Sequence, residues 1–319
     1  MVATIIGALM FFLAVVCLIK ESVRERIGGW MAEKRGRIWL LPSAILAFYS
    51  AISFLFNVGQ ADIFWKIALY FGAPTMLLFL RGPRFNKGTR WDLAVDFLLI
   101  LMLWLPIEFR WMMKSWWPME IAIAGKEVRG LGYPINVLAA VAYLLIVYGG
   151  YRKLDIQCDW SLTWPDFRLA LKMFLVLFAV LAPMGWAIGF LNPGINSKVV
   201  SHWWAMPLVL ASFFFAPGFS EELVSRGGMQ NLFTSWFGSV KGICLTAAIF
   251  GFSHINNSVK PNFPTPNWTY VGFATFAGLI YGYLYWRRKV SGAKGALVIG
   301  AMLHAFVDFT WLVFFKGGS

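Results

Sequence analysis

The composition of the chain excludes a water-soluble globular protein. Its 319 residues are 59% hydrophobic and only 13% charged, whereas a soluble domain is about 25% charged. The 28 lysines and arginines outnumber the 15 acidic residues, and in a membrane protein such an excess serves topology and contact with anionic lipid, so we expect no nucleic-acid partner.

Apolar runs recur along the whole chain, each long enough to cross the hydrocarbon core of a bilayer as an α-helix. We therefore predict an all-α, polytopic membrane helix bundle of about ten transmembrane helices. In chain order the predicted spans are 2–19, 38–58, 64–80, 93–109, 133–151, 169–191, 203–237, 239–256, 270–286 and 293–315. The first is interpreted as a retained span, because no basic region precedes it and no small-residue cleavage site follows it.

Basic residues concentrate in alternate connections between the predicted spans, mainly 20–37, 81–92 and 287–294. This bias predicts that both termini lie outside the cytoplasm. We expect the membrane to be a bacterial inner membrane. The stretch 110–130 is also basic and breaks the pattern. We interpret it as an interfacial helix or as a miscounted span.

A polar stretch near residues 151–165 divides the chain. We predict an N-terminal membrane region of about five helices, residues 1–160, whose role is unknown. Residues 161–319 are predicted to form a second region of about five helices that carries the chemistry, because all three histidines lie in it. His202, beside Trp203, is expected to be an interfacial side chain.

Four acidic residues of the N-terminal region lie in or near predicted spans. Asp62, Asp92 and Glu108 lie near span ends, where contacts with solvent or lipid headgroups are expected. Asp96 lies about four residues inside the fourth predicted span, and we expect it to make a packing hydrogen bond.

Three clusters of ionisable residues interrupt the apolar runs of the C-terminal region, where such residues cost about 2.5–3.5 kcal/mol each at mid-bilayer. At 1.5 Å per residue from the span ends, the three clusters lie at similar depth. Neighbouring helices would then place two carboxylates and two imidazoles around one chamber. The clusters contain Glu221, Glu222 and Arg226; His254; and His304 and Asp308.

The spacing inside each cluster predicts specific pairs. Glu222 and Arg226 are four residues apart and share a helix face, so they can form an ion pair. Glu221 points about 100° away and is free to face the bundle interior. His304 and Asp308 also share a face, and Asp308 can fix the tautomer of a histidine.

Two glutamates beside two histidines suggest hydrolysis by activated water. A glutamate can act as general base on a water molecule, and imidazole N–H groups can stabilise the oxyanion that forms. Pro217 and Gly218 should kink the long span and admit water. Ser225 and Ser253 lie beside the motifs but have no positioned base, and no G-x-S-x-G or HExxH motif is present.

The three clusters, read as EExxxR, FxxxH and HxxxD, resemble those of the CAAX-protease and bacteriocin-processing family of intramembrane proteases, which includes the Ras-converting CAAX endopeptidases. The resemblance covers about residues 165–319 and adds Phe250 as the first residue of the second motif. It implies an intramembrane endopeptidase acting on a membrane-associated protein or peptide within the lipid bilayer.

The resemblance also implies a role for each motif residue. Glu221 would be the water-activating base, supported by Glu222 and Arg226, and His254 a second group that positions water. His304 with Asp308 would line the oxyanion side. The CAAX endopeptidases usually have Asn where this chain has Asp308, and a carboxylate donates no hydrogen bond unless it is protonated.

Two glutamates and two histidines could also ligate zinc in principle. Because the family is usually described as glutamate-based, we favour no cofactor and no obligatory metal. Two other functions stay open from the sequence. One is a proton-coupled transporter, although the inverted repeats that would support it are not visible. The other is a non-proteolytic membrane scaffold or bacteriocin-immunity protein.

Overall fold

The computed structural model of the chain is helical almost throughout. It describes residues 2–83, 89–109, 111–112, 116–117, 122–123, 126–127, 132–259 and 262–315. Two compact units divide the chain, Met1–Ile156 and Gln157–Ser319. The separate roles predicted for residues 1–160 and 161–319 stay predictions.

Six helices in the described part of the chain are long and apolar enough to cross a membrane: Val2–Ile19, Arg35–Phe56, Ala61–Arg81, Trp164–Ala187, Trp203–Phe237 and Ala296–Phe314. Two shorter apolar helices, Ile135–Tyr151 and Ser239–Ser253, coincide with further predicted spans. The remaining two predicted spans are helical as Arg90–Glu108 and Trp268–Val290. The predicted all-α, multi-pass membrane fold is therefore confirmed.

The N-terminal unit is built from α1 (Val2–Ile19), α2 (Glu21–Glu33), α3 (Leu40–Phe56), α4 (Ala61–Arg81), α5 (Arg90–Glu108) and α6 (Gly132–Leu144). A 3-10 turn, Arg35–Trp39, precedes α3, and a π-helical segment, Leu145–Tyr151, continues α6. Two short strands, β1 (Ala122–Ile123) and β2 (Lys126–Glu127), pair in antiparallel register. Most of the stretch 110–130, predicted as an interfacial helix or a miscounted span, lies outside the described residues.

Helix α2 occupies a connection for which the sequence predicted no element. It packs closely on the π-helical segment after α6, because a Cβ atom at Gly28 would lie 2.1 Å from the carbonyl carbon of Gly150. Arg24 of α2 is buried and donates from Nη1 to the backbone carbonyl of Ile19 at 2.5 Å. A mostly polar helix that packs through a glycine has no long apolar run, so the apolar pattern of the sequence does not predict it.

The expectation that Asp92 contacts solvent or headgroups was wrong. Asp92 and Asp96 are both fully buried. Arg152 donates from Nε and Nη2 to the two carboxylate oxygens of Asp96, at 3.0 and 2.9 Å, and Arg81 pairs with Asp92. Arg81 is the last residue of α4, and Arg152 directly follows the π-helical segment that continues α6. The sequence pattern of α5 alone cannot reveal such partners on other helices.

The C-terminal unit is built from α7 (Trp164–Ala187), α8 (Ser197–Val200), α9 (Met206–Phe213), α10 (Phe219–Glu222), α11 (Asn231–Phe237), α12 (Ser239–Ser253), α13 (Trp268–Val290) and α14 (Ala296–Phe314). A 3-10 turn, Trp203–Ala205, precedes α9. Two π-helical segments, Phe214–Gly218 and Leu223–Gln230, flank α10, so the predicted span 203–237 is one long helical run with changing pitch.

Close packing at small residues positions the helices of this unit. A Cβ atom at Gly218 would lie 2.8 Å from the carbonyl oxygen of Ala301, so α14 runs directly beside the start of α10. A Cβ atom at Gly251 would lie 2.7 Å from the carbonyl oxygen of Val271, which brings α12 against α13. Such small-residue contacts let membrane helices approach closely, and here they converge on the polar clusters.

Candidate active site

The two glutamates lie where the long helical run changes pitch. The π-helical segment Phe214–Gly218 contains Pro217, which has no backbone N–H to donate. One turn of α-helix then carries Glu221 and Glu222, and a second π-helical segment follows. The sequence predicted a kink at Pro217 and Gly218, and the structure has a π-helix there. Such segments often accompany functional sites.

Glu222 and Arg226 form the buried ion pair that their spacing predicted. Both side chains are buried, and Arg226 Nη1 donates to Glu222 Oε1 at 3.1 Å. Arg226 Nη2 also donates to the backbone carbonyl of Gly278 in α13, at 2.8 Å. The guanidinium carbon lies 4.6 Å from the centre of the Phe250 ring. Arg226 therefore balances the charge of Glu222 and ties its helix to α12 and α13.

His304 connects α14 to this ion pair. Its Nδ1 atom lies 3.3 Å from Glu222 Oε1. An ionised carboxylate only accepts hydrogen bonds, so we assign the proton to Nδ1. The opposite ring nitrogen, Nε2, then faces Glu221 Oε2 at 3.9 Å and Asp308 Oδ2 at 3.7 Å. Three carboxylates therefore surround one imidazole.

His254 lies at the end of α12 and is oriented by its own helix. Its Nδ1 atom lies 2.8 Å from the backbone carbonyl oxygen of Phe250, which can only accept, so Nδ1 carries a proton. Nε2 consequently points at Glu221 Oε2, 4.0 Å away. The first residue of the predicted FxxxH motif thus contributes its carbonyl to the site as well as its ring.

Glu221 Oε2 occupies the centre of the cluster. It is within 3.9–4.0 Å of Nε2 on both histidines and, among the described residues, has no hydrogen-bond partner. These distances are too long for direct hydrogen bonds but fit a water molecule that bridges the groups. A buried acceptor without a protein partner normally holds such a water.

The hydroxyl groups of the two serines beside the motifs form hydrogen bonds with backbone carbonyl groups. Ser225 donates to the carbonyl oxygen of Glu221, and Ser253 donates to that of Phe250 at 2.8 Å. Hydroxyl groups that donate within their own helix turn are not aimed at a substrate carbon. The geometry therefore supports neither serine as a nucleophile.

Two tyrosines of α13 belong to the site but were missed from the sequence. Tyr270 stacks on His254, with ring centres 5.2 Å apart and planes at 25°. Tyr281 stacks on His304, with ring centres 5.0 Å apart and planes at 24°. Their separation of eleven residues is about three helical turns, so they share one face of α13. The spacing of the two tyrosines identifies them as site residues only when this face of α13 is known to contact both histidines.

The third histidine lies elsewhere in the unit. His202 is exposed in the turn before Trp203, with its Nδ1 atom 3.1 Å from the hydroxyl of Ser201. Its ring centre lies 6.3 Å from that of Trp204. The structure thus brings two of the three histidines to the glutamates and leaves His202 among aromatic side chains.

The donor atoms do not fit zinc as they are placed. Within the described ranges, no group of three or more His, Cys, Asp or Glu side chains could hold a metal ion. Two tetrahedral zinc ligands at bond lengths near 2.0–2.1 Å would lie about 3.3 Å apart. The corresponding gaps from Glu221 to the histidines are 3.9 and 4.0 Å. Independence from a metal stays a prediction.

Comparison with known families matches residues 202–310 to the family described as Rce1-like, the Type II CAAX prenyl endopeptidase Rce1-like proteins. Comparisons with curated proteins and with solved structures gave no match. The matched segment contains all three motifs, so the resemblance inferred from them is confirmed. It implies a protease with a peptide or protein substrate in a membrane context.

Proposed function

We propose that the chain, whose segment 202–310 belongs to the Rce1-like family of CAAX endopeptidases, is an intramembrane endopeptidase that cleaves a membrane-associated protein or peptide. One observation carries the proposal: buried Glu221 Oε2 lies 4.0 Å from His254 Nε2 and 3.9 Å from His304 Nε2, without a partner among the described side chains. A water seated in this gap would reach all three atoms.

Glu221 acts in this mechanism as the general base. It takes a proton from the water while the water oxygen bonds to the carbonyl carbon of the scissile peptide bond. The electron pair of the carbonyl moves to its oxygen and forms a tetrahedral oxyanion. When this intermediate collapses, the C–N bond breaks and Glu221 returns its proton to the leaving nitrogen. The products are a carboxylic acid and an amine.

The two histidines have different roles. The Nδ1 proton of His254 is held by the Phe250 carbonyl, so the Nε2 lone pair accepts a hydrogen bond from the water and orients it. His304 acts as an imidazolium that donates from Nδ1 to Glu222 and from Nε2 to the oxyanion. Asp308 adds negative charge beside that cation.

Glu222 and Arg226 support these groups without touching the substrate. Glu222 accepts from both Arg226 and His304, so its Oε1 atom sets the position of the imidazole. Arg226 keeps a positive charge beside the buried carboxylate, which would otherwise be costly. We propose that the reaction uses no cofactor and no obligatory metal, and that the protein works in a bacterial inner membrane.

The test compares Glu221→Gln with wild type. Full-length protein is expressed in cells, and membrane peptides are compared by mass spectrometry. The amide keeps the shape of the carboxylate but cannot accept the proton, so we expect cleavage products to fall by about 10²–10⁴-fold. Glu33→Gln serves as the control, because the carboxylate of Glu33 is exposed.

The other functions predict different results. A scaffold or immunity protein would leave the same membrane peptides in wild-type and Glu221→Gln cells. A proton-coupled transporter would show uptake into vesicles driven by a pH gradient, with no change in peptides. Identical peptide profiles from wild type and Glu221→Gln would reject the endopeptidase.

A further inference from the structure

Helix α7 carries two positive charges on a face that points away from the C-terminal unit. Trp164, Arg168 and Lys172 follow one another at intervals of four residues, so they form one stripe along the start of the helix, which we call the α7 stripe. All three side chains are exposed. Leu171 and Leu175 adjoin the stripe and are also exposed. Since α7 is long and apolar enough to cross a membrane, this exposed face contacts lipid.

The two cations of the α7 stripe have no anionic partner among the residues that the structure describes. Neither Arg168 nor Lys172 forms a side-chain hydrogen bond or an ion pair with another described residue. The one acidic residue of α7 is Asp166, which is buried, accepts from the backbone N–H of Thr163 at 2.9 Å and pairs with Arg288 of α13. Asp166 is two positions from Arg168 and therefore points to the opposite side of the helix. The described part of the chain thus leaves two positive charges uncompensated on the outer face of α7.

The height of the α7 stripe matches the headgroup layer of a membrane. Trp164 is the first residue of α7, and tryptophan prefers the interface between headgroups and hydrocarbon. The Cα atom of Lys172 lies about 12 Å further along the helix axis, inside the hydrocarbon, where an unpaired ammonium group is costly. Side chains of an α-helix lean toward its N-terminus, so both cations extend back toward the level of Trp164. There they reach the phosphate groups of the lipid.

We propose that the α7 stripe binds the phosphate headgroup of one anionic phospholipid. The guanidinium group of Arg168 presents paired N–H donors that match two phosphate oxygens, and the ammonium group of Lys172 adds a second positive charge. A zwitterionic lipid carries its own cation beside the phosphate, so two cations without an anion favour a lipid of net negative charge. The acyl chains lie along Leu171 and Leu175. This inference is independent of the proposed endopeptidase, because the stripe contains no residue of the candidate active site.

The experiment measures lipid binding by native mass spectrometry of the full-length protein in detergent and about 0.15 M ammonium acetate, where exposed charges are screened beyond about 8 Å. Phosphatidylglycerol is the anionic probe, and phosphatidylcholine with the same acyl chains is the zwitterionic one. We expect a first phosphatidylglycerol to bind at least about fivefold more tightly than phosphatidylcholine. Glycerophosphoglycerol, the same headgroup without acyl chains, should not bind at the same concentration, because it buries no apolar surface.

Variants test whether the α7 stripe is the site. Arg168→Gln/Lys172→Gln should weaken phosphatidylglycerol binding by about fivefold per cation and leave phosphatidylcholine binding unchanged. Arg26→Gln/Lys34→Gln is the matched control, because it removes two exposed cations that lie in no membrane-spanning helix of the described chain. It should change binding by less than about twofold, since salt screens such charges. Arg168→Glu/Lys172→Glu should reverse the preference and bind the cationic lipid ethylphosphatidylcholine.

The outcomes decide between a site and general attraction. Equal weakening in the two glutamine double variants would show that any basic residue attracts anionic lipid, and it would overturn the α7 stripe as a site. Equal dissociation constants for phosphatidylglycerol and phosphatidylcholine in wild type would overturn it as well. Lys172→Met keeps the apolar stem and removes only the charge, so it tests the site if a double variant does not fold. Glu221→Gln should bind phosphatidylglycerol as wild type does, so failure of the endopeptidase leaves this inference standing.

Discussion

Glu222 and His304 are 82 positions apart in the sequence, yet their Oε1 and Nδ1 atoms lie 3.3 Å apart in the buried part of the C-terminal unit. The contact joins α10 to α14. Because Oε1 of Glu222 also accepts from Arg226, one carboxylate oxygen links the ion pair to the imidazole. Changes at Glu222 should therefore alter both stability and catalysis.

Breaking the buried ion pair should destabilise the fold. Arg226→Ala leaves Glu222 buried without its arginine, and we expect a loss of about 3–5 kcal/mol in the free energy of unfolding. The double variant Glu222→Gln/Arg226→Met should be more stable than Arg226→Ala, because neither member of the Glu222–Arg226 pair is left charged without the other. Denaturant unfolding in detergent micelles, followed by tryptophan fluorescence, measures both.

A surface pair provides the control for that experiment. Lys66 and Asp62 form a partly exposed pair at 3.6 Å. Lys66→Ala should cost only about 0.2–1 kcal/mol, as exposed ion pairs usually do. Equal losses for Lys66→Ala and Arg226→Ala would contradict a structural role for the buried pair.

The three histidines should separate into two classes. His254→Ala and His304→Ala each remove an imidazole that faces Glu221, and we expect kcat to fall by about 10²–10⁴-fold. His202→Ala should retain wild-type activity, because its exposed side chain lies outside the cluster. The assay is cleavage of a membrane peptide whose processing is lost in Glu221→Gln. Full activity of both His254→Ala and His304→Ala would exclude the proposed mechanism.

Tyr281 should act as a positioning residue for His304. Its ring stacks on the imidazole, and the centre of the same ring lies 5.4 Å from the guanidinium carbon of Arg226. Tyr281→Phe keeps the ring and should preserve most activity. Tyr281→Leu removes it, so His304 loses its orientation, and we expect kcat to fall by at least about tenfold with little change in KM.

A purely structural role for Tyr281 would give another pattern. Both variants would then lower the unfolding free energy, and the correctly folded fraction would have wild-type kcat. The amount of correctly folded protein is therefore measured by size-exclusion chromatography before the kcat values are compared. Equal kcat values for Tyr281→Leu and wild type would contradict positioning of His304.

Removal of metal ions should leave the activity unchanged. The proposed base is the carboxylate of Glu221, and the gaps to the histidines are wider than those between two zinc ligands. Purified enzyme treated with phenanthroline and EDTA should cleave the same Glu221-dependent peptide at the untreated rate. Loss of activity on chelation, with recovery on addition of zinc alone, would show that a metal takes part.

Local sequence patterns were sufficient to predict the apolar spans and the pairing of Glu222 with Arg226. All ten spans predicted from apolar runs are helical in the structure, because a chain in lipid must satisfy its backbone hydrogen bonds within each segment. The pairing of Glu222 with Arg226 followed from a spacing of four residues. Both inferences depend on interactions within one helix.

The acids of the N-terminal unit make contacts that local sequence patterns do not predict. Asp92 lies in the first turn of α5, where the sequence alone suggested contact with headgroups, but Arg81 and Arg152 approach it from other segments. Helix α2 was missed because its packing depends on close contact at Gly28 and not on an apolar run. When two contacting segments are far apart in the chain, the sequence of neither segment carries a periodic pattern that identifies its partner.

By itself, the sequence determined that the chain crosses a membrane and that its rare charged and histidine residues fall into three clusters at similar depth. Only the tertiary structure decided that Glu221 Oε2 lies about equally far from two imidazole nitrogens, which tyrosines stack on those rings, and that an apolar cavity adjoins them. The physical reason is that the depth of a residue in the membrane follows from the rise per residue within one helix. The direction in which its side chain points and its distance from other side chains depend on how several helices pack.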